Sequence, residues 1–420
     1  SLSKLNHMIP FKSIQFFHLP SYSNVYCMKK LHKFGNVNRI LVATLLRKIY
    51  CLEFNLCPMN DAILPACREL LFTYIPGEAE IISMDIVNSV TSDDEFAIGI
   101  ALVKDEEKFD RLYYLNIYSD WDSSPKVNLD SVGRSCITLS LDFVPYHLNH
   151  AKIKKKDLNF EVVWLLSGSD CLIHLFQEDK DIHQYFEINS TKYFSEFNNI
   201  TSIVYWMDIK LCEDDTKRIS GLGCENGFLR LTVSDVSRNC VLWSWESNVE
   251  TPITSVSSFF LDTMSNGSNF LEPKVKFVVT TTLGASAVVS YSDLMTDDSI
   301  KSLPESHLFD TVLCSCIGDF DMDGSNEIAL GTFGQVILIY KYVSDSDEWE
   351  LLYRQYLAYP INSLMYLDIT GDGMKELVVL TSKGVEVLQH ELDAVKTLLM
   401  KRINDSSSIP SSKVVCDISD

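Results

Sequence analysis

Apolar residues in this chain arrive as paired short runs, each pair split by a small polar or glycine-containing turn. Two stretches show the unit most clearly. Residues 314–342 read CSCIGDFDMDGSNEIALGTFGQVILIYKY and residues 363–391 read SLMYLDITGDGMKELVVLTSKGVEVLQHE, aligned without a gap at an offset of 49. Asp319 falls on Asp368, Asp321 on Thr370, Asp323 on Asp372, Gly324 on Gly373 and Glu327 on Glu376. Weaker copies of the paired runs begin at Ile40, Phe96, Val162, Ile219 and Phe277. With those at Ile328 and Leu377 they make seven copies, at steps of 56, 66, 57, 58, 51 and 49 residues.

Each copy is rich in β-branched and aromatic residues and has a neighbouring run on both sides, so about four strands fit per period. Four short strands in a unit of this length is the arithmetic of a propeller blade, and only a closed ring of such units buries both faces of each. A string of separate β-sandwiches is the alternative; the even spacing and the lack of linkers argue against it. The expected fold is all-β, a seven-bladed β-propeller followed by a short C-terminal helix. The last blade lacks a fourth strand, which SIQFFHL at 13–19 can supply, hiding the edges an open ring would expose. Leu392, Val395, Leu399 and Ile403 lie near one face of a helix, with Lys401 and Arg402 in its last turn. The expected organisation is therefore a flexible segment over 1–12, the propeller over 13–391, the helix over 392–404 and a disordered tail over 405–420.

Composition narrows the function classes. Hydrophobic residues make up 46% and charged residues 22%, enough apolar material for a large core, and the net charge is −21. A field of that sign repels phosphate backbones and anionic lipid, so nucleic acid is not an expected partner. The longest apolar stretch near the start, 40–46, ends at Arg47 and Lys48, too short to span a bilayer. Lys4, His7, Lys12 and His18 interrupt any secretory apolar segment. No direct membrane insertion is expected, and the chain reads as soluble and intracellular. The twelve cysteines form no C-x-x-C pair, and His147 and His150 complete no zinc set, so the thiols read as free, with Cys51, Cys171 and Cys314 buried in apolar runs.

Asp319-x-Asp321-x-Asp323-Gly324-x-x-Glu327 has the logic of a calcium loop: oxygens at alternate positions of a tight turn, a glycine at the bend, and a closing carboxylate. It is shorter than an EF-hand and lacks flanking helices. The second loop offers Asp368, Thr370, Asp372 and Glu376. Asp-Gly is equally the chemistry of a tight turn whose side chains cap their own backbone, so both readings stand. Any calcium would be structural, because no nucleophile or base accompanies it. Phosphate-loop, H-E-x-x-H and G-x-S-x-G signatures are absent. Gly221-x-Gly223 with Gly227 comes near a dinucleotide fingerprint but lies between two strands and reads as a turn. No enzyme is expected; a small-molecule site in the propeller channel is the reading that spacing alone leaves open.

The first acidic loop with the EIALGTFGQ that follows resembles the FG-GAP repeat, the blade unit of integrin α-chain propellers. Longer blocks resemble the kaptin family: SNVY (23–26), RELLFTYIPGEAEIISMDI (68–86), YLNIYSDW (114–121), NLDSVGRSCITLSLDFVPYHLNHA (128–151) and LLSGSDCLIHLF (165–176). That resemblance implies a scaffold subunit of KICSTOR, an assembly at the lysosomal surface. There it would sit with a second FG-GAP propeller, tether the GATOR GTPase-activating complex and restrain TOR signalling when nutrients are scarce. It also implies association with actin filaments at actin-rich cell edges. Actin is itself acidic, and the basic candidates for it are only Lys29, Lys30, Lys33 and the run 152–156. A scaffold requires exposed apolar patches, to which Trp121, Trp243 and Trp245 could contribute. Only two of seven blades keep an acidic loop, which argues against a calcium-dependent adhesion role.

Overall fold

A computed structural model describes residues 8–34, 37–57, 59, 62–88, 96–106, 110–119, 129–155, 160–212, 215–262, 275–291 and 299–407. Residues 1–7 and 408–420, most of the two expected end segments, lie outside it, as does Trp121. Among the described residues, twenty-eight strands form seven four-stranded antiparallel sheets, the seven blades of a propeller. The innermost strands are Met28–Phe34, Ala79–Asn88, Pro145–Lys154, Val204–Leu211, Ile253–Phe260, Val312–Gly318 and Ile361–Leu367, for blades one to seven.

The paired runs of the sequence are the second and third strands of each blade. Neighbouring blades cover these on both faces, so they are apolar without alternation. Glu327–Thr332 and Glu376–Thr381 are buried at every position. Outermost strands alternate or lie open, as Gln184–Ile188 does. Seven clusters of buried apolar side chains fill the seven joints, each drawing on two adjacent blades. Each fully buried Leu, Ile, Val or Phe there contributes roughly 1.5–3 kcal/mol of transfer free energy.

The ring closes through its first strand. Phe11–His18 pairs antiparallel with Gly384–His390 and is the outermost strand of blade seven. It starts earlier than the apolar run suggested because Phe11 is itself buried, stacked 4.0 Å from the His390 ring. Polar bonds cross every joint. Asn24 Nδ2 donates to Ile82 O at 3.0 Å, Leu148 N to Ser83 Oγ at 2.9 Å, and Asn149 Nδ2 to Met207 O at 3.0 Å. Asp208 Oδ2 accepts from Ser258 N at 2.6 Å, and the Ser257 and Ser315 hydroxyls meet at 3.1 Å. Tyr366 Oη donates to Asp319 O and Asn362 Nδ2 to Ser23 O, both at 3.3 Å, completing the circle.

Gly221 and Gly223 are not in a turn. They lie within the strand Lys217–Cys224, where a Cβ would meet Val256 or Ile253 of blade five at 2.6 or 2.4 Å. Gly227 alone makes the turn, with φ +86° and room for no Cβ, which would lie 1.8 Å from Val249 O. The C-terminal helix runs Leu392–Ser407, and no described helix is long and apolar enough to cross a membrane.

Candidate functional site

The channel is the first place to look for chemistry. Tyr26 precedes the inner strand of blade one, yet its hydroxyl donates to Tyr205 O of blade four at 2.6 Å. Those blades face each other across the ring, so the bond must cross the axis. His147 of blade three and Trp206 of blade four complete a cluster of three rings in mutual contact: Tyr26 to His147 at 5.0 Å, His147 to Trp206 at 4.6 Å and Tyr26 to Trp206 at 6.0 Å. Burial raises the Tyr26 phenol and, with the charge of Lys29, lowers His147 to about 3, so both rings are neutral. Met207 N donates to His147 Nδ1 at 2.9 Å, which fixes the imidazole as an acceptor there. These three rings plug the channel near the ends of the inner strands from which Pro145–Lys154 and Val204–Leu211 start.

Deeper in, Asp85 of blade two meets His150 Nδ1 at 2.6 Å and Lys29 Nζ at 3.5 Å. Burial works against its charge, but His150 and Lys29 outweigh that and hold Asp85 at about 2. The group ties blades one to three together through paired ionisable side chains.

Both acidic loops connect the inner to the second strand, in blades six and seven. Asp319 Oδ1 and Oδ2 accept from Asp323 N and Gly324 N at 2.8 and 2.9 Å. Glu327 Oε2 accepts from Phe320 N at 2.7 Å and Asp321 N at 3.1 Å. Asp368 Oδ1 and Oδ2 likewise take Gly371 N and Gly373 N at 2.6 and 3.0 Å, and Glu376 Oε2 takes Ile369 N at 2.9 Å. Gly324 and Gly373 have φ +94° and +90°, the left-handed geometry that the turn needs. One oxygen from each of Asp319, Asp321, Asp323 and Glu327, and from each of Asp368, Asp372 and Glu376, converges within 4.8 Å. Thr370 instead donates through Oγ1 to Glu376 Oε1 at 3.2 Å.

The space those oxygens enclose is taken by a donor of the chain itself. In blade six Lys341 Nζ reaches Asp321 Oδ2, Asp323 Oδ2 at 2.6 Å and Glu327 Oε1 at 3.4 Å. Burial disfavours the ammonium, but its bonds to Asp321 and Asp323 prevail and raise its pKa. In blade seven Gln389 Nε2 donates to Asp372 Oδ2 at 2.8 Å and Glu376 Oε1 at 2.9 Å. Burial lifts both closing glutamates, Glu327 and Glu376, to about 7. Calcium requires six to eight oxygens at about 2.3–2.6 Å. A dication about 3 Å from an ammonium would face roughly 11 kcal/mol of repulsion even at an effective dielectric near 20. The blade-six residues therefore do not fit calcium while Lys341 is in place.

The surface is uneven. Turns between second and third strands, and connections from one blade to the next, share one face of a propeller. Leu46, Leu71, Leu172, Leu283, Leu308 and Phe333 occupy six such loops and are each half exposed or more. The aromatic plug closes the channel at this same face, while the acidic loops lie on the opposite one. Trp243 and Trp245 are half-buried on the outer strand of blade four, Trp243 edge-on to Tyr291 at 4.9 Å, so they are mainly packing residues. Of the basic candidates, Lys29 is paired with Asp85, Lys155 with Glu161 at 2.7 Å and Lys154 bonds Ser237, while Lys30 and Lys152 are exposed. Cys51 and Cys314 are buried as expected, but Cys171 is a half-buried turn residue with φ +64°. The eleven described cysteines are all free.

Residues 11–400 match the family described as KICSTOR complex protein kaptin. The chain is 35% identical over 403 residues to the KICSTOR complex protein kaptin of Mus musculus, covering 94% of this chain and 91% of that protein. Two solved structures share the fold: BBS1N in its complex with ARL6DN (TM-score 0.54, 10% identity, 92% of this chain and 98% of that one), and Chaetomium thermophilum Raptor (TM-score 0.52, 12% identity, 91% and 30%). At such identities they speak for the propeller alone.

Proposed function

The chain belongs to the kaptin family of KICSTOR complex proteins, and on that premise we propose that it is a non-enzymatic scaffold subunit of a KICSTOR-like assembly. In this reading the assembly sits at the lysosomal surface, contains a second propeller subunit, brings in the GATOR GTPase-activating complex and restrains TOR signalling under nutrient limitation. The chain contributes binding surface and no chemistry.

The observation that carries the reading is the face described above. Six loops present large apolar residues on the side where the channel is plugged. The ring cluster narrows the channel on that side for a small ligand, whereas a face that presents apolar residues from six loops suits a protein partner. Among the described residues, His147 is held neutral and Asp85 is paired with His150 and Lys29, so these channel groups lend no support to catalysis. Actin has less support: two of its basic candidates, Lys29 and Lys155, are already paired with carboxylates of the chain.

Affinity purification of the tagged chain from cells of its source, before and after nutrient withdrawal, tests the proposal by mass spectrometry. A second propeller and KICSTOR-like subunits are expected to co-purify. A Leu46→Asp, Phe333→Asp double variant should lose them while keeping its thermal midpoint. Recovery of actin and its regulators without a lysosomal assembly would overturn the reading.

A further inference from the structure

We infer that Lys341 stands where the metal of a calcium-loop blade would stand, so that the blade-six loop is closed by the protein's own ammonium and requires no cation. The strand register places it there. Ile328 pairs with Tyr340, so one step further out Glu327 faces Lys341. Strand alternation then turns Tyr340 into the blade and Lys341 toward the loop, where its side chain is 21% exposed and three carboxylates converge on it. A lysine with its stem along a strand and its head in a polar hollow is well suited to this, since three N–H donors serve three acceptors.

The second loop shows that the arrangement is a substitution rather than an accident of one side chain. Leu377 pairs with Leu388, so one step further out Glu376 faces Gln389, the same position in the blade. The sequence offset of 49 that aligns the two loops becomes 48 at this position, because the blade-seven hairpin is one residue shorter. Where blade six has four loop carboxylates and a lysine, blade seven has three and a neutral amide: Asp321 has become Thr370 and Lys341 has become Gln389. Loss of an acid and loss of the internal cation go together, as compensation between side chains would leave them. The polar bonds across all seven joints explain how the ring holds without metal.

The test uses the full chain carrying Asp372→Asn, an exposed carboxylate in the other loop, so that only blade six is read. After removal of metal by chelation, calcium chloride is added up to about 5 mM, well above the weak end of protein calcium sites. Thermal midpoint and calorimetric heat are followed. With Lys341 present, neither should change. Lys341→Ala should lower the midpoint in chelator, and calcium should then bind and restore part of the loss. Lys341→Gln, which copies blade seven, keeps the comparison open should the alanine variant not fold; it should fold and gain calcium binding. Saturable calcium binding by the Lys341 chain, or a Lys341→Gln chain that neither loses stability nor gains calcium binding, would overturn the inference.

Discussion

Acidification gives the plugged channel a signature that can be calculated. His147 is 2% exposed, packed against both Tyr26 and Trp206, and accepts a backbone N–H at Nδ1. In the folded chain it titrates at about 3; unfolded, it takes its proton near 6.5. A depressed folded pKa means stability that is whole above about pH 6.5 and is lost as pH falls toward 3, because only the unfolded chain binds the proton in that window. The slope approaches about 1.4 kcal/mol per pH unit, which amounts to about 2 kcal/mol between pH 7 and pH 5. Urea midpoints of the native chain and of His147→Gln at pH 5, 6, 7 and 8 isolate that proton. Glutamine can accept the same N–H but does not titrate, and other histidines contribute equally to both chains. The variant should lose about 2 kcal/mol less than the native chain over the window, whatever its offset at pH 8. Parallel pH dependences for the two chains would refute the argument.

Three further outcomes follow from particular contacts. Arg218 and Glu196 form a bidentate pair with side chains 1% and 0% exposed; Glu196→Ala should cost about 3–5 kcal/mol in urea unfolding, and adding Arg218→Met should recover part of it. Gly227→Ala should cost well over ~1 kcal/mol, because the new Cβ would lie 1.8 Å from Val249 O at φ +86°; a thermal midpoint within a degree of the native one would contradict this. Deleting residues 1–18 bares the edge of Gly384–His390, and size-exclusion chromatography should find oligomers or aggregate in place of monomer.

What could be read from the sequence was what burial makes locally visible. Second and third strands such as Lys217–Cys224 and Phe228–Asp235 are enclosed on both faces, so their runs are apolar enough to count. Outer strands such as Cys240–Asn248 interleave exposed and half-buried positions and leave no such mark. The acidic loops were legible because all their ligands lie within nine residues. Lys341 was not, since it lies fourteen residues beyond Glu327 and only the hairpin register brings it back. Its signal is there in retrospect: one charged residue within VILIYKYV, level with a buried glutamate. Tyr26 left no local trace, because its partners His147 and Tyr205 are brought near only by the curvature of the ring.

The strand that closes the ring also sets an order of events during synthesis. Phe11–His18 leaves the ribosome before the other described strands, but its partner Gly384–His390 is made more than 360 residues later. At translation rates of roughly 5–20 residues per second, the first strand waits on the order of tens of seconds with its backbone donors and acceptors unmatched. Blades one to six can assemble in sequence meanwhile, each against its predecessor, as repeat arrays do. The nascent chain therefore passes through a long-lived arc with a sticky strand at its leading end, and any chaperone that serves this protein has its work there, before the circle is complete.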